Sequence, residues 1–262
     1  MKKSVFLMAG MLLLSGLTFG QLIDEKNVTV TMDLQPVLQL NMTTPDQVDF
    51  TFDEIKDYYG GIIKYAATVL KVSSSVTWDL YAVGTSQNTL GLFWDQQVTY
   101  STYPLGGNAI ANIPLQALEL HQYEANQYDG GASGPESDYS HIFTPAQTIS
   151  PGVNSIWASA APYTAPLATE KYIQGHKGTV AGQDGCPGGS YLTSTAAVGT
   201  FSDYYFTIDY RILPSLPAIF PNAGDNDGTA HDIVTDNGGL PGPYAMPGVY
   251  TMDVKYILLE DQ

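Results

Sequence analysis

From Val28 onward the even positions are Val28, Val30, Met32, Leu34, Pro36, Leu38, Leu40 and Met42, while most odd positions are Thr, Asp, Gln or Asn. A period of two puts alternate side chains on opposite faces of an extended chain, so this run predicts strand. Pro36 has no N–H to give a ladder. It divides the run into a strand near 27–34 and another near 37–42, or places it at a sheet edge. Val48, Phe50 and Phe52 repeat the alternation after the turn-forming Thr43-Thr44-Pro45-Asp46. Asp53 to Tyr59 suits one helical turn, stopped by Gly60-Gly61.

Residues 62–72 and 76–83 are rich in β-branched and aromatic side chains, and Ser73-Ser74-Ser75 between them predicts a hairpin connection. Trp78 and Leu80 share one face of the second strand, with Trp78 expected in the core. Short strand patterns follow at 90–94 and 98–103, and 113–123 fits either a strand or a short helix. Residues 147–158 are again strand-like, around Ile149, Val153, Ile156 and Trp157. The two cleanest late alternations are Tyr204, Phe206, Ile208, Tyr210, Ile212 and Tyr250, Met252, Val254, Tyr256, Leu258. Stretches near 124–140 and 175–189 carry Gly, Ser, Asp and Asn with little apolar content and read as exposed loops. Eight or more short strands with almost no amphipathic helix predict an all-β fold, an antiparallel β-sandwich of Ig-like or pilin-like type with long loop insertions. A barrel is the structural alternative, and a nucleotide-binding α/β fold is disfavoured by the missing βαβ rhythm.

The N-terminus changes the compartment. Lys2 and Lys3 precede an apolar run from Val5 to Leu17, then Thr18-Phe19-Gly20, the pattern of a secretory signal peptide over residues 1–20. The run is shorter than the ~20 residues that span a bilayer, so no membrane insertion is expected once it is removed. The expected organisation is then an N-terminal strand or donor arm over 21–35 and a single sandwich domain over 36–262, in an extracellular or cell-surface protein.

Charge narrows the partners. The chain has a formal net charge of −16, and loss of Lys2 and Lys3 takes it to about −18. Such a surface repels phosphate backbones and anionic lipid, which disfavours nucleic acid as a ligand. With Cys186 the only cysteine, no internal disulfide forms; an intermolecular bridge is one reading of the thiol and a structural role the other.

Enzymatic signatures are weak. His121, His141, His176 and His231 lack the close spacings of zinc sites, and neither a Gly-x-Ser-x-Gly elbow nor a phosphate loop occurs. The expectation is therefore a non-enzyme, with a secreted hydrolase as the lesser reading. The best cation candidate is the acidic loop 225–232 with Asp236. Asp225, Asp227 and Asp236 take the first, third and twelfth places of a helix-hand Ca2+ spacing, but Gly228 stands fourth rather than sixth. Asp129, Glu136 and Asp138 form a poorer set. Tyr123, Tyr128 and Tyr139, in polar surroundings, are candidate glycan contacts.

Ser75-Val76-Thr77-Trp78-Asp79-Leu80 and the ending Gly248-Val249-Tyr250-Thr251-Met252-Asp253-Val254-Lys255-Tyr256 resemble exported bacterial surface β-sandwiches, the WxL, spore-coat-U and fimbrial-subunit type, and the layout resembles secreted proteins of Bacteroidota. A second W-x-L triplet and a fimbrial disulfide are both missing. The resemblance covers the two ends of the chain and implies a surface or fibre-forming role. The resulting expectation is a structural subunit of an extracellular filament, pilus or surface layer, self-associating into a homopolymer by β-strand pairing. Val28, Val30, Met32 and Leu34 are its assembly residues, although the same residues could form the domain's own first strand. The alternative is a monomeric adhesin or carbohydrate-binding module using glycan contacts and Ca2+.

Overall fold

The alternating runs pair into ladders in the computed structural model of the chain, which describes residues 24, 26, 28–54, 56–57, 61–87, 91–100, 109–110, 113–127, 138–143, 153–160, 162–166, 171–175, 185–193, 204–212, 244–245 and 247–261. Contacts divide the chain into Met1–Gln35 and Pro36–Gln262, and every strand belongs to the second part. One sheet has the order β1 (Leu38–Met42), β2 (Ile62–Ser74), β8 (Tyr205–Ile212), β6 (Leu118–Gln122), all antiparallel, with β7 (Gly189–Ser190) continuing along β2 beyond the end of β8. The facing layer pairs β3 (Trp78–Thr85) with β11 (Asp253–Glu260) and β4 (Asp95–Thr99) with β10 (Gly248–Thr251), again antiparallel. Only Met252 separates β10 from β11. A two-residue parallel pair joins β5 (Ala109–Ile110) to β9 (Tyr244–Ala245).

The fold is an all-β sandwich, and the period-two runs supply its core. Leu70 and Val72 from β2, Phe206, Ile208, Tyr210 and Ile212 from β8, and Leu118 and Leu120 from β6 face Trp78, Leu80 and Ala82 from β3. Met252, Val254, Tyr256 and Leu258 pack against them from the C-terminal strand. Both late alternations thus bury the expected face, and Trp78 is in the core. β3 is buried along its whole length: its other face places Tyr81 and Val83 against Tyr172, with Trp157, Ile257 and Leu259 around them. Loop segments therefore cover the outside of the second sheet.

Two elements depart from the sequence pattern and a third settles an open choice. Residues 28–34 form no strand, and neither does the predicted hairpin between β2 and β3. Ser73-Ser74-Ser75 instead ends β2, and the chain crosses to the other sheet, where β3 finds an eight-residue partner in β11. Ser75 Oγ accepts the Val37 N–H at 2.8 Å, which fixes that crossing to the start of β1. The 113–123 segment resolves as both alternatives, a 3-10 turn at Leu115–Ala117 leading into β6.

At the described ends of the 124–140 insertion Glu124, Asn126, Asp138 and Tyr139 are buried, while Ala125 and Gln127 are exposed. Polar residues there replace water with loop-to-strand hydrogen bonds. Gln122 Nε2 donates to the carbonyls of Glu124 (2.6 Å) and Ile173 (2.9 Å), and Asn154 Nδ2 donates to those of Leu120 (2.9 Å) and His141 (2.6 Å). Asn126 and Gly175 exchange bonds at 2.9 and 3.1 Å. A low apolar content marked these segments as loops but carried no information about such amide staples.

Candidate assembly surface

The alternation of residues 28–35 survives without a ladder. Val28, Val30, Met32 and Leu34 are 86, 84, 77 and 80% exposed, and no strand is assigned before Leu38. Four large apolar side chains at every second position, left in water, are a surface in need of a partner.

In Pro36–Gln262 the edges of β1 and β6 in the large sheet and of β3 and β11 in their pair differ. The edge of β6 is closed by the 154–156 segment: Leu120 N–H donates to Asn154 and Ile156 N–H to Leu118, both at 2.9 Å. The edge of β3 is closed by three segments, through Trp78 with Cys186, Leu80 with Gln174 and Gly84 with Trp157. Among the described residues, no segment pairs with the outer edge of β1 or with that of β11. Unpaired edges expose rows of backbone donors and acceptors and template strand addition.

Both open edges border one cleft. It holds about 1540 Å3 and is open to solvent, with Leu40 of β1, Phe50, Trp94, Met252, Val254 and Tyr256 among its walls. Val48, Phe50 and Phe52 point into it as the alternation requires, yet residues 48–51 make no backbone hydrogen bond to another described residue. The extended 48–52 segment lines the cleft with its side chains. At the cleft floor, Thr68 Oγ1, Tyr210 Oη and Tyr256 Oη form a hydroxyl chain of 2.8 and 2.5 Å that ties β2 and β8 to β11. Burial pushes both tyrosines up, Tyr256 well above its ordinary range.

A second grouping lies on the outer face of β6 and β8, where the odd positions of two strands carry charge. Arg211 Nε donates to Glu119 Oε2 at 2.6 Å, with a second contact from Nη2, and both side chains are buried. Asp209 accepts the Ala66 N–H at 2.7 Å and faces His121 Nδ1 at 3.0 Å. Ala66, at φ 48°, sits in a bulge where the β2–β8 register shifts. Phe143 covers the grouping, its ring 4.7 Å from the Arg211 guanidinium. Burial raises Glu119, and Arg211 and Lys171 offset this only in part; burial also raises Glu124. The alternation of Glu119 with His121, and of Asp209 with Arg211, was the available signal for this face, because a solvated strand face rarely needs matched charges. The pairs are consumed by one another and by the loops above them, which makes this a cross-strand clamp.

The remaining sequence candidates divide clearly. Asp225, Asp227 and Asp236 lie outside the described residues, as do His176, His231, Asp129, Glu136 and Tyr128, together with the signal-peptide residues 1–20. Asp138 is described and buried; its Oδ2 accepts the Asn126 N–H and its Oδ1 the Ser140 N–H and hydroxyl, so its oxygens hold a loop. No group of three metal-ligating side chains occurs among the described residues. Tyr139 is not a surface contact: it is core, and its hydroxyl accepts the Trp157 N–H at 3.0 Å. Tyr123 is half exposed and its ring tilts against His121. The Cys186 thiol is fully buried behind the Trp78 bridge, which removes the intermolecular disulfide reading. Among the described residues no helix is long and apolar enough to cross a membrane.

No protein-family model matches the chain, and no curated protein shows significant similarity to it.

Proposed function

We propose that the chain is a non-enzymatic structural subunit of an extracellular filament or surface layer that assembles by β-strand pairing. The observation that carries this reading is the arm itself, whose Val28, Val30, Met32 and Leu34 are 77–86% exposed at alternate positions outside any strand. In strand addition, main-chain hydrogen bonds supply affinity and alternate side chains fill a groove, so an isolated subunit shows an apolar arm with no ladder. The signal-peptide pattern at the N-terminus and the net charge of −16 support export and a soluble subunit before assembly.

Electron microscopy of the full chain beside its Val30→Asp/Met32→Asp variant tests the reading. Regular filaments from the native sequence, with the concentration needed for assembly raised at least about tenfold in the variant, are expected, since each introduced carboxylate resists burial. A native protein that stays monomeric at every accessible concentration overturns it.

A further inference from the structure

We infer that the outer face of β2, β8 and β6 is a binding shelf for an extended polysaccharide that carries carboxylates, a role separate from assembly by strand pairing. The core takes Leu70, Phe206, Ile208, Leu118 and Leu120 from these strands, so Lys71, Tyr205, Thr207, Asp209 and His121 fall on the opposite face, with Tyr123 just beyond the end of β6. A solvated sheet face ordinarily carries charged and short polar side chains. Here Tyr65, Tyr123 and Tyr205 are 70, 46 and 37% exposed, and they are three of the five exposed tyrosines among the described residues. Tyr65 joins this face at the Ala66 bulge, where Asp209 accepts the Ala66 N–H at 2.7 Å, and it lies within electrostatic reach of Tyr123. The strand between Tyr205 and Asp209 measures about 13 Å, long enough for more than one sugar ring. Aromatic rings spread over that length offer apolar contact to the C–H faces of successive sugars, and the tyrosine and Thr207 hydroxyls can bond the hydroxyls at the sugar rims.

Charge selects the class of glycan. Lys71 stands at the Tyr205 end of the shelf, its Nζ 5.3 Å from the Tyr205 ring centroid and 5.1 Å from that of Tyr191. In a chain with 26 acidic residues, no carboxylate pairs with this ammonium among the described residues. A cation held between two rings without a counter-charge complements a carboxylate brought by a ligand. The acidic chain repels a polyanion at long range, but at physiological salt that repulsion is screened beyond about 8 Å, so local contacts decide. The opposite end is rigid and takes the hydroxyls of the glycan. Asp209 faces His121 Nδ1 at 3.0 Å, and the His121 ring lies between Tyr123 and Phe143, with centroids 5.3 and 5.6 Å away. The buried clamp thus holds the rings above it in place before a ligand arrives, and side chains already ordered cost less to immobilise on binding.

Calorimetric titration of the full chain tests this, with oligomers of galacturonate and of mannuronate beside their uncharged methyl esters. A chelator is present throughout, so that no cation bridges acid to acid. At least one uronate oligomer is expected to bind, at least about tenfold more tightly than its ester, and Lys71→Gln is expected to abolish that preference. Tyr65→Ala and Tyr205→Ala should each weaken binding at least about fivefold, the loss of one ring contact. Tyr100→Ala, at a residue 71% exposed beside β4 in the other layer, should bind as the native chain does. Esters that bind as well as the acids, or a preference that survives Lys71→Gln, overturn the carboxylate as the recognised group. Affinity that withstands both shelf tyrosine changes, or that falls equally with Tyr100→Ala, overturns the shelf as the site. A native chain that binds none of these oligomers overturns the inference as a whole.

Discussion

Charged residues inside this sandwich mark where loops are clamped to strands. Glu119 and Arg211 are buried as a pair on adjacent strands, and removing one partner of such a pair leaves the other uncompensated, at a cost of about 3–5 kcal/mol. Glu124 differs, because burial outweighs the backbone N–H groups of Thr207, 3.5 Å away, and of Glu124 itself that donate to its carboxylate. Burial raises its folded-state pKa above the ordinary 4.5. The folded chain therefore binds that proton more tightly than the unfolded chain does. The contribution to stability is fully present below about 4.5 and is lost as pH rises through the raised folded value. Glu124→Gln carries no such loss. Urea melts are expected to show the variant gaining on the native protein as pH is taken from 4 to 7, with the difference shrinking towards pH 3; a pH-independent difference would assign Glu124 a purely steric role.

At the scale of elements, the closed edge of β3 depends on a close approach that only glycine permits. Gly175 has φ +77°, and a Cβ there would meet the Asp79 carboxylate and the Trp78 carbonyl oxygen at 2.8 Å. The left-handed backbone costs an L-residue about 1–2 kcal/mol and overpacking about 1–3 kcal/mol more. Gly175→Ala should thus lose roughly 2–5 kcal/mol in a denaturant titration and expose β3 amides to hydrogen exchange. Such an approach is invisible in sequence, where Gly175 reads only as part of a flexible stretch. What was legible is whatever follows from period two: β8, β10 and β11, the face each strand buries, and Trp78 in the core. Which strand neighbours which was not legible, since alternation specifies a face and not a partner. The supposed hairpin across Ser73-Ser74-Ser75 failed for that reason. The arm's apolar face could be read from Val28 to Leu34, but the open edge of β11 could not, because an edge is defined by the strands that do not arrive.

At the scale of the whole molecule, the question is whether stability and assembly are separable. The described residues of the main core, from Leu40 to Leu258, lie in Pro36–Gln262. A chain beginning at Pro36 should therefore fold, with an unfolding midpoint within about 2 °C of the full chain in dilute solution, the change expected from well under 1 kcal/mol in a domain of this size. The two chains should diverge only as concentration rises. Association linked to the folded state stabilises by mass action, so the midpoint of the full chain climbs with protein concentration while that of the shortened chain stays flat. Salt sharpens the contrast: subunits carrying a net charge of about −18 once Lys2 and Lys3 are removed repel one another, and screening that repulsion favours contact between copies without altering the buried core. Calorimetry of both chains across concentration and ionic strength separates the cases. A shortened chain that fails to fold at any concentration would make residues before Pro36 part of the domain's own sheet, and equal concentration dependence in both chains would place self-association on a surface other than the arm.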